Sequence, residues 1–102
     1  MLFRSIIMDP PKFGRGPEGE VWDLFKDLSN FLINCRDLLH DQNSAFVLSV
    51  YAIRASALSF DQLVRDVMFE RSGFIHSGEL ALQSASGKDL PTSLFTRWTS
   101  FE

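Results

Sequence analysis

Apolar and polar positions follow two rhythms along this chain. Residues 2–8, LFRSIIM, are almost continuously apolar and rich in β-formers. The run stops at Asp9 and at two prolines, which cannot donate to a ladder. That pattern predicts a strand covered on both faces, as in a parallel sheet. Residues 9–20, DPPKFGRGPEGE, hold three glycines and three prolines and predict a loop. From 21 to about 39 the period lengthens. Val21, Leu24, Phe25, Leu28, Phe31, Leu32, Cys35, Leu38 and Leu39 recur at i, i+3, i+4, i+7, and Asp23, Lys26, Asp27, Asn30, Asn34 and Asp37 fill the other side. This predicts an amphipathic helix over the whole stretch, with Glu20 and Asp23 at the positive end of its dipole.

The short period returns at 45–51, AFVLSVY, a second buried-type strand. A second helix follows. Ser56 or Ser59 can cap it, Ser59 with Gln62 has capping-box spacing, and the core stripe is Phe60, Leu63, Val64, Val67 and Met68. Gly73 ends it. Residues 74–84 and 93–101 predict two further strands, joined by ASGKDLP as a hairpin connection. The expected order is β-α-β-α-β-β. Strands alternating with helices imply right-handed crossovers and a mostly parallel sheet, with a C-terminal antiparallel hairpin.

Composition narrows the picture. The chain has 102 residues, one domain's worth. A domain of that size buries roughly 60–65% of its unfolded surface. Ten Phe and two Trp favour a folded core over disorder. The net charge of -3, with acids and bases interspersed, argues against free-standing nucleic-acid binding. The single cysteine, Cys35, forbids an intramolecular disulfide and fits a reducing compartment. The N-terminal apolar run carries Arg4 and is too short for a membrane span or a signal peptide, so a soluble cytoplasmic protein is expected. His40 and His76 have no Cys or His at ligand spacing, so no metal is expected. Cys35 sits on an apolar helical stripe and reads as packing. Trp22 and Trp98 read as core or interface residues.

The candidate chemistry lies where the first strand stops. Ligands of open α/β sheets bind beyond the carboxyl ends of parallel strands. There Pro10 and Pro11 stiffen the backbone, so the Asp9 carboxylate and its neighbouring carbonyls are held ready for an amino group or a flat base edge. Phe13 offers a ring face for stacking, and Lys12 and Arg15 suit phosphate or another anion. The bland alternative is that Asp-Pro-Pro merely ends a strand and Phe13 merely caps the core.

IIMDPPKFGRG, followed by GEVWDL and later GELALQ, resembles the C-terminal half of a class I S-adenosylmethionine (SAM)-dependent methyltransferase. The nearest likeness is to a bacterial group related to ribosomal-RNA methyltransferases with a DPPKF signature, and it runs from Ser5 to Trp98. It implies a partial Rossmann-like methyltransferase sheet, from the fourth strand of that fold onward. It also implies that Asp9 and the Pro10 backbone orient the acceptor, with Pro11, Lys12, Phe13 and Arg15 lining the substrate. The implied cofactor is SAM and the implied substrate an RNA base.

Two departures matter. The resemblance places the donor-binding half, with its glycine-rich turn and ribose-binding acid, outside residues 1–102, and GRGPEGE does not replace it. Relatives that methylate carbon-5 of cytosine carry a cysteine nucleophile after the next strand, where this chain has Tyr51. Nitrogen or oxygen acceptors, or a substrate other than nucleic acid, therefore stay open. In a half-sheet, residues 2–8 become an apolar edge that seeks the missing half or another copy of the chain. The alternative function is a non-catalytic α/β module that associates through that edge.

Overall fold

A computed structural model describes residues 2–51 and 55–101. The first strand, β1 (Ser5–Met8), is shorter than the apolar run that predicts it. It pairs in parallel with β4 (Ala45–Val50), Ser5 opposite Ala45 and Met8 opposite Leu48. The Ala45 N–H donates to Arg4 O at 2.7 Å. In a parallel ladder that phase makes Ile6 and Met8 the next donors on β1, and then residue 10. Pro10 has no N–H, so the ladder ends at Met8.

Residues 9–20 are not wholly loop. Phe13–Arg15 (β2) and Val21–Asp23 (β3) form a two-stranded antiparallel ribbon. The turn between them is closed by Gly19 N–H to Gly16 O at 3.2 Å and Gly16 N–H to Glu20 O at 2.8 Å, with Gly19 at φ +85°. Only glycine takes that φ without strain. The helix predicted from 21 therefore starts three residues later, as α1 (Leu24–Asp37). Val-Trp is a good strand pair, and Asp23 is an N-cap whose carboxylate accepts from Phe25 N–H at 3.1 Å. Leu24, Leu28 and Leu32 bury one stripe, while Val21 and Phe25 stand exposed.

The second helix, α2 (Ala57–Val67), takes Ser56 as its cap; Ser59 lies in the first turn and donates its N–H to Ser56 Oγ at 3.3 Å. Two arginines tie the far ends of the helices together. Arg71 donates to Arg36 O, Leu39 O and His40 O at 3.2, 3.2 and 3.3 Å, and Arg36 donates to Val67 O at 3.0 Å. Each guanidinium thus bonds carbonyls at or just beyond a helix C-terminus, Arg36 O also accepting from Leu39 N–H at 3.0 Å.

β5 (Phe74–Gln83) and β6 (Asp89–Thr99) form the final hairpin. β6 begins four residues earlier than its predicted start at 93, because the turn is confined to residues 84–88 around Gly87 at φ +86°. Pro91 lies in the strand next to a register shift at Leu80/Ala81, a place that tolerates a missing donor. The sheet order is β1-β4-β6-β5. Three strands run one way and β6, lodged between β4 and β5, runs the other. The sheet is therefore mixed, and because its one reversed strand is not at an edge, two of its three pairings are antiparallel.

Side-chain parity divides the sheet. Met8, Phe46, Leu48, Val50 and Trp98 join Leu24, Leu28, Leu32, Phe60, Val64 and Val67 in one core, so both helices cover the same face. Trp98 packs so close to Gly73 that a Cβ there would stand 2.4 Å from the indole. The opposite face carries the rows Ile7–Val47–Arg97–His76 and Ser49–Phe95–Gly78, and no described element covers it.

Candidate functional site at the end of β1

The site is built from three neighbouring pieces: the end of β1, the β2–β3 ribbon and the end of β4. Asp9 follows Met8, and the register places residue 49 beside it. Both side chains fall on the uncovered face. Ser49 Oγ donates to Asp9 Oδ1 at 2.9 Å. The carboxylate is exposed and Pro10 is buried, so the proline ring anchors the corner while the acid faces outward.

The next carbonyls are held by the ribbon. Trp22 Nε1 donates to Pro11 O at 2.6 Å, and the Leu24 N–H at the start of α1 donates to Lys12 O at 2.9 Å. Trp22 is fixed in turn by an edge-on contact with Phe31, ring centroids 5.4 Å apart. Phe13 is 55% exposed, which removes the reading in which it caps the core. The Arg15 guanidinium lies 6.0 Å from the Phe13 ring centroid, a cation–π distance. Lys12 is exposed beside them. Pro11, Arg15 and Trp22 border an open groove of about 460 Å³ along the ribbon.

Asp9, Pro10, Pro11, Lys12, Phe13 and Arg15 thus form one continuous corner. Ser49 and Trp22 belong to it as well. A trace of Ser49 is present in the sequence: it is the one polar side chain of AFVLSV, at the end where a parallel partner must stop. Trp22 gave no such trace, because its partner is a backbone carbonyl eleven residues earlier.

Other chemistry-bearing groups stand apart from this corner. Cys35 is half-buried on α1, and burial pushes its thiol above the ordinary value, which keeps it protonated. His76 stacks on Phe95, centroids 5.7 Å apart, on the uncovered face. Among the described residues, no group of three or more His, Cys, Asp or Glu is placed to hold a metal ion. No described helix is long and apolar enough to cross a membrane.

The fold and the corner can be set beside known proteins. No protein-family model matches the chain, and no curated protein matches it significantly. Solved structures do. A SAM-dependent methyltransferase from Agrobacterium tumefaciens is 42% identical, with a TM-score of 0.88 over 97% of this chain. The chain has the fold of a methyltransferase segment. SMU.776, a methyltransferase candidate solved with SAH bound, matches 97% of the chain with a TM-score of 0.70 at 19% identity, a likeness of fold. The segment spans 34% of the Agrobacterium protein and 27% of SMU.776.

Proposed function

We propose that this chain is the acceptor side of a class I SAM-dependent methyltransferase that methylates a nucleic-acid base, carried on RNA. It does so together with a donor-binding part, in the same polypeptide or in trans. The observation that carries this reading is the exposed Asp9 carboxylate, held by Ser49 at the carboxyl end of a parallel strand, on the uncovered face of the sheet.

The residues present fit one side of the cofactor. An open carboxylate suits a cationic neighbour, and Phe13, four residues further along the chain, offers an exposed ring. The glycines of 14–19 close a β-ribbon instead of the strand-to-helix turn that lets a backbone approach a nucleotide, so that turn must come from the donor-binding part. When bound, SAM supplies an electrophilic methyl group whose C–S bond breaks as the acceptor's lone pair forms the new bond, leaving SAH. Asp9 accepts a hydrogen bond from the acceptor's N–H through Oδ2, aims the lone pair and receives the released proton. Phe13 stacks on the base, which is worth about 1–3 kcal/mol. Lys12 and Arg15 meet the backbone phosphates. Positioning is most of what such a displacement needs, and a proline-stiffened wall supplies it.

Methyl transfer from radiolabelled SAM to ribosomal RNA transcribed in vitro tests this. The chain is mixed with the part of the Agrobacterium methyltransferase outside the matched segment. Transfer is expected only from the pair, and Asp9→Ala should lower it roughly a hundredfold without changing the melting temperature. Full activity of that variant overturns the role of Asp9, and its unfolding returns Asp9 to a structural one.

A second reading rests on a different observation. Ile7 is 77% exposed on β1, whose outer edge has no partner among the described residues. This favours association through that strand, with the donor-binding part or with a second copy, whether or not catalysis follows.

A further inference from the structure

We propose that Ser49 is a positioning residue for Asp9, and that the reactive oxygen is therefore Oδ2. The inference rests on the methyltransferase reading above. Ser49 donates to Oδ1 at 2.9 Å across forty residues of sequence. β4 is flanked by β1 on one side and β6 on the other, so the hydroxyl sits on a strand held from both edges. Every other side chain in Ala45–Val50 is apolar. The one hydroxyl falls at the only position of that strand whose cross-strand neighbour is a carboxylate.

The two restraints on Asp9 divide the work. Pro10 and Pro11 fix the backbone around the residue, but they leave the carboxylate free to turn about χ1 and χ2. A terminal carboxylate torsion is broad and two-fold, so without a partner its two oxygens exchange roles. A hydrogen bond to Oδ1 removes that exchange and leaves the Oδ2 lone pairs facing outward. Asp9 is exposed and Ser49 half-buried, and their bond is open to solvent, so water competes for it and folding gains little from it. Its consequence is orientation.

The test uses the reconstituted pair, radiolabelled SAM and in vitro transcribed ribosomal RNA, with Ser49→Ala, Ser49→Thr and Asp9→Ala. Ser49→Ala should lower kcat about tenfold, with KM for the RNA and the melting temperature unchanged, because orientation is lost and binding is not. Ser49→Thr keeps the hydroxyl and should recover most of the lost rate. If Ser49→Ala turns over like the unaltered pair while Asp9→Ala is inactive, Ser49 has no positioning role and the methyltransferase reading stands. Equal loss in the alanine and threonine variants with a lowered melting temperature assigns Ser49 to packing and overturns the proposal. An inactive unaltered pair overturns the reading beneath it.

Discussion

At the scale of residues, the polar contacts that matter join elements far apart in sequence. Asp61 on α2 accepts from Arg65 Nε at 2.6 Å with one oxygen and from Ser77 Oγ on β5 at 2.7 Å with the other. Thr96 Oγ1 on β6 lies 2.9 Å from the same Ser77 oxygen. One hydroxyl proton cannot serve both, so Thr96 donates to Ser77 while Ser77 donates to Asp61. The Arg65 and Ser77 hydrogen bonds hold the Asp61 carboxyl below its usual 3.8, against the opposing effect of burial. A carboxyl depressed in the folded state adds stability above its unfolded pKa, and that stability is lost as pH falls through the folded value. Asp61→Ala should therefore cost about 1–3 kcal/mol at neutral pH, since buried Thr96 and half-buried Ser77 lose their terminal acceptor. The variant's stability should also fall less steeply below pH ~4. Urea midpoints across that range check both points, and an unchanged acid limb refutes the second. The Ser77-Gly78-Glu79 stretch shows no catalytic pattern in sequence, and nothing local in it points to this bridge. The strand end at Asp9 was legible because two prolines mark it, whereas the contacts of Ser49 and Ser77 are with neighbours that only the fold supplies.

At the scale of elements, periodicity located both helices and misjudged one start. A 3.6-residue period is blind to a strand that happens to keep phase, and Val21 did so while belonging to a ribbon. The Pro- and Gly-rich 9–20 segment hid β2 for the reverse reason: its glycines shape a hairpin turn as readily as an irregular loop. The helix ends were less legible still. Arg71 lies beyond the end of α2, yet it satisfies three carbonyls at the end of α1. Its fork reaches several acceptors at once, which a lysine ammonium on a flexible stem does not reproduce. Arg71→Met keeps the stem and removes the donors. It should destabilise the fold by about 1–3 kcal/mol, the cost of orphaned, partly buried carbonyls, as read from the urea midpoint at constant m-value. Arg71→Lys should recover less than half of that loss, and full recovery would reduce the residue's role to its charge.

At the scale of the whole molecule, the sheet is covered on one face and open on the other. No local pattern encodes that β6 lies between β4 and β5, because strand order is set by pairing between distant segments. The apolar run at 2–8 had nevertheless promised a strand covered on both sides, and the structure covers one. Ile7, Phe74, Leu80, Leu82 and Leu90 are each 46–77% exposed. All of them stand on the face away from the helices. The outer edge of β1 adds the outward N–H and C=O groups of Ser5 and Ile7, with no charged side chain within Ser5–Met8 to guard them. A strand with a free edge and an adjoining apolar face recruits another strand, so the isolated chain should self-associate. Sedimentation velocity from low to high micromolar concentration should show a rising sedimentation coefficient. Ile7→Lys places a charge on that face at the edge, where pairing would bury it. Since Ile7 contributes nothing to the core, the variant should keep the circular dichroism and melting temperature of the parent and sediment as a monomer. A parent chain whose sedimentation does not change with concentration removes this edge as a self-docking surface. It leaves the donor-binding part as the one proposed occupant. In that event Ile7→Lys should still weaken methyl transfer by the reconstituted pair, and adding more of the donor-binding part should restore it.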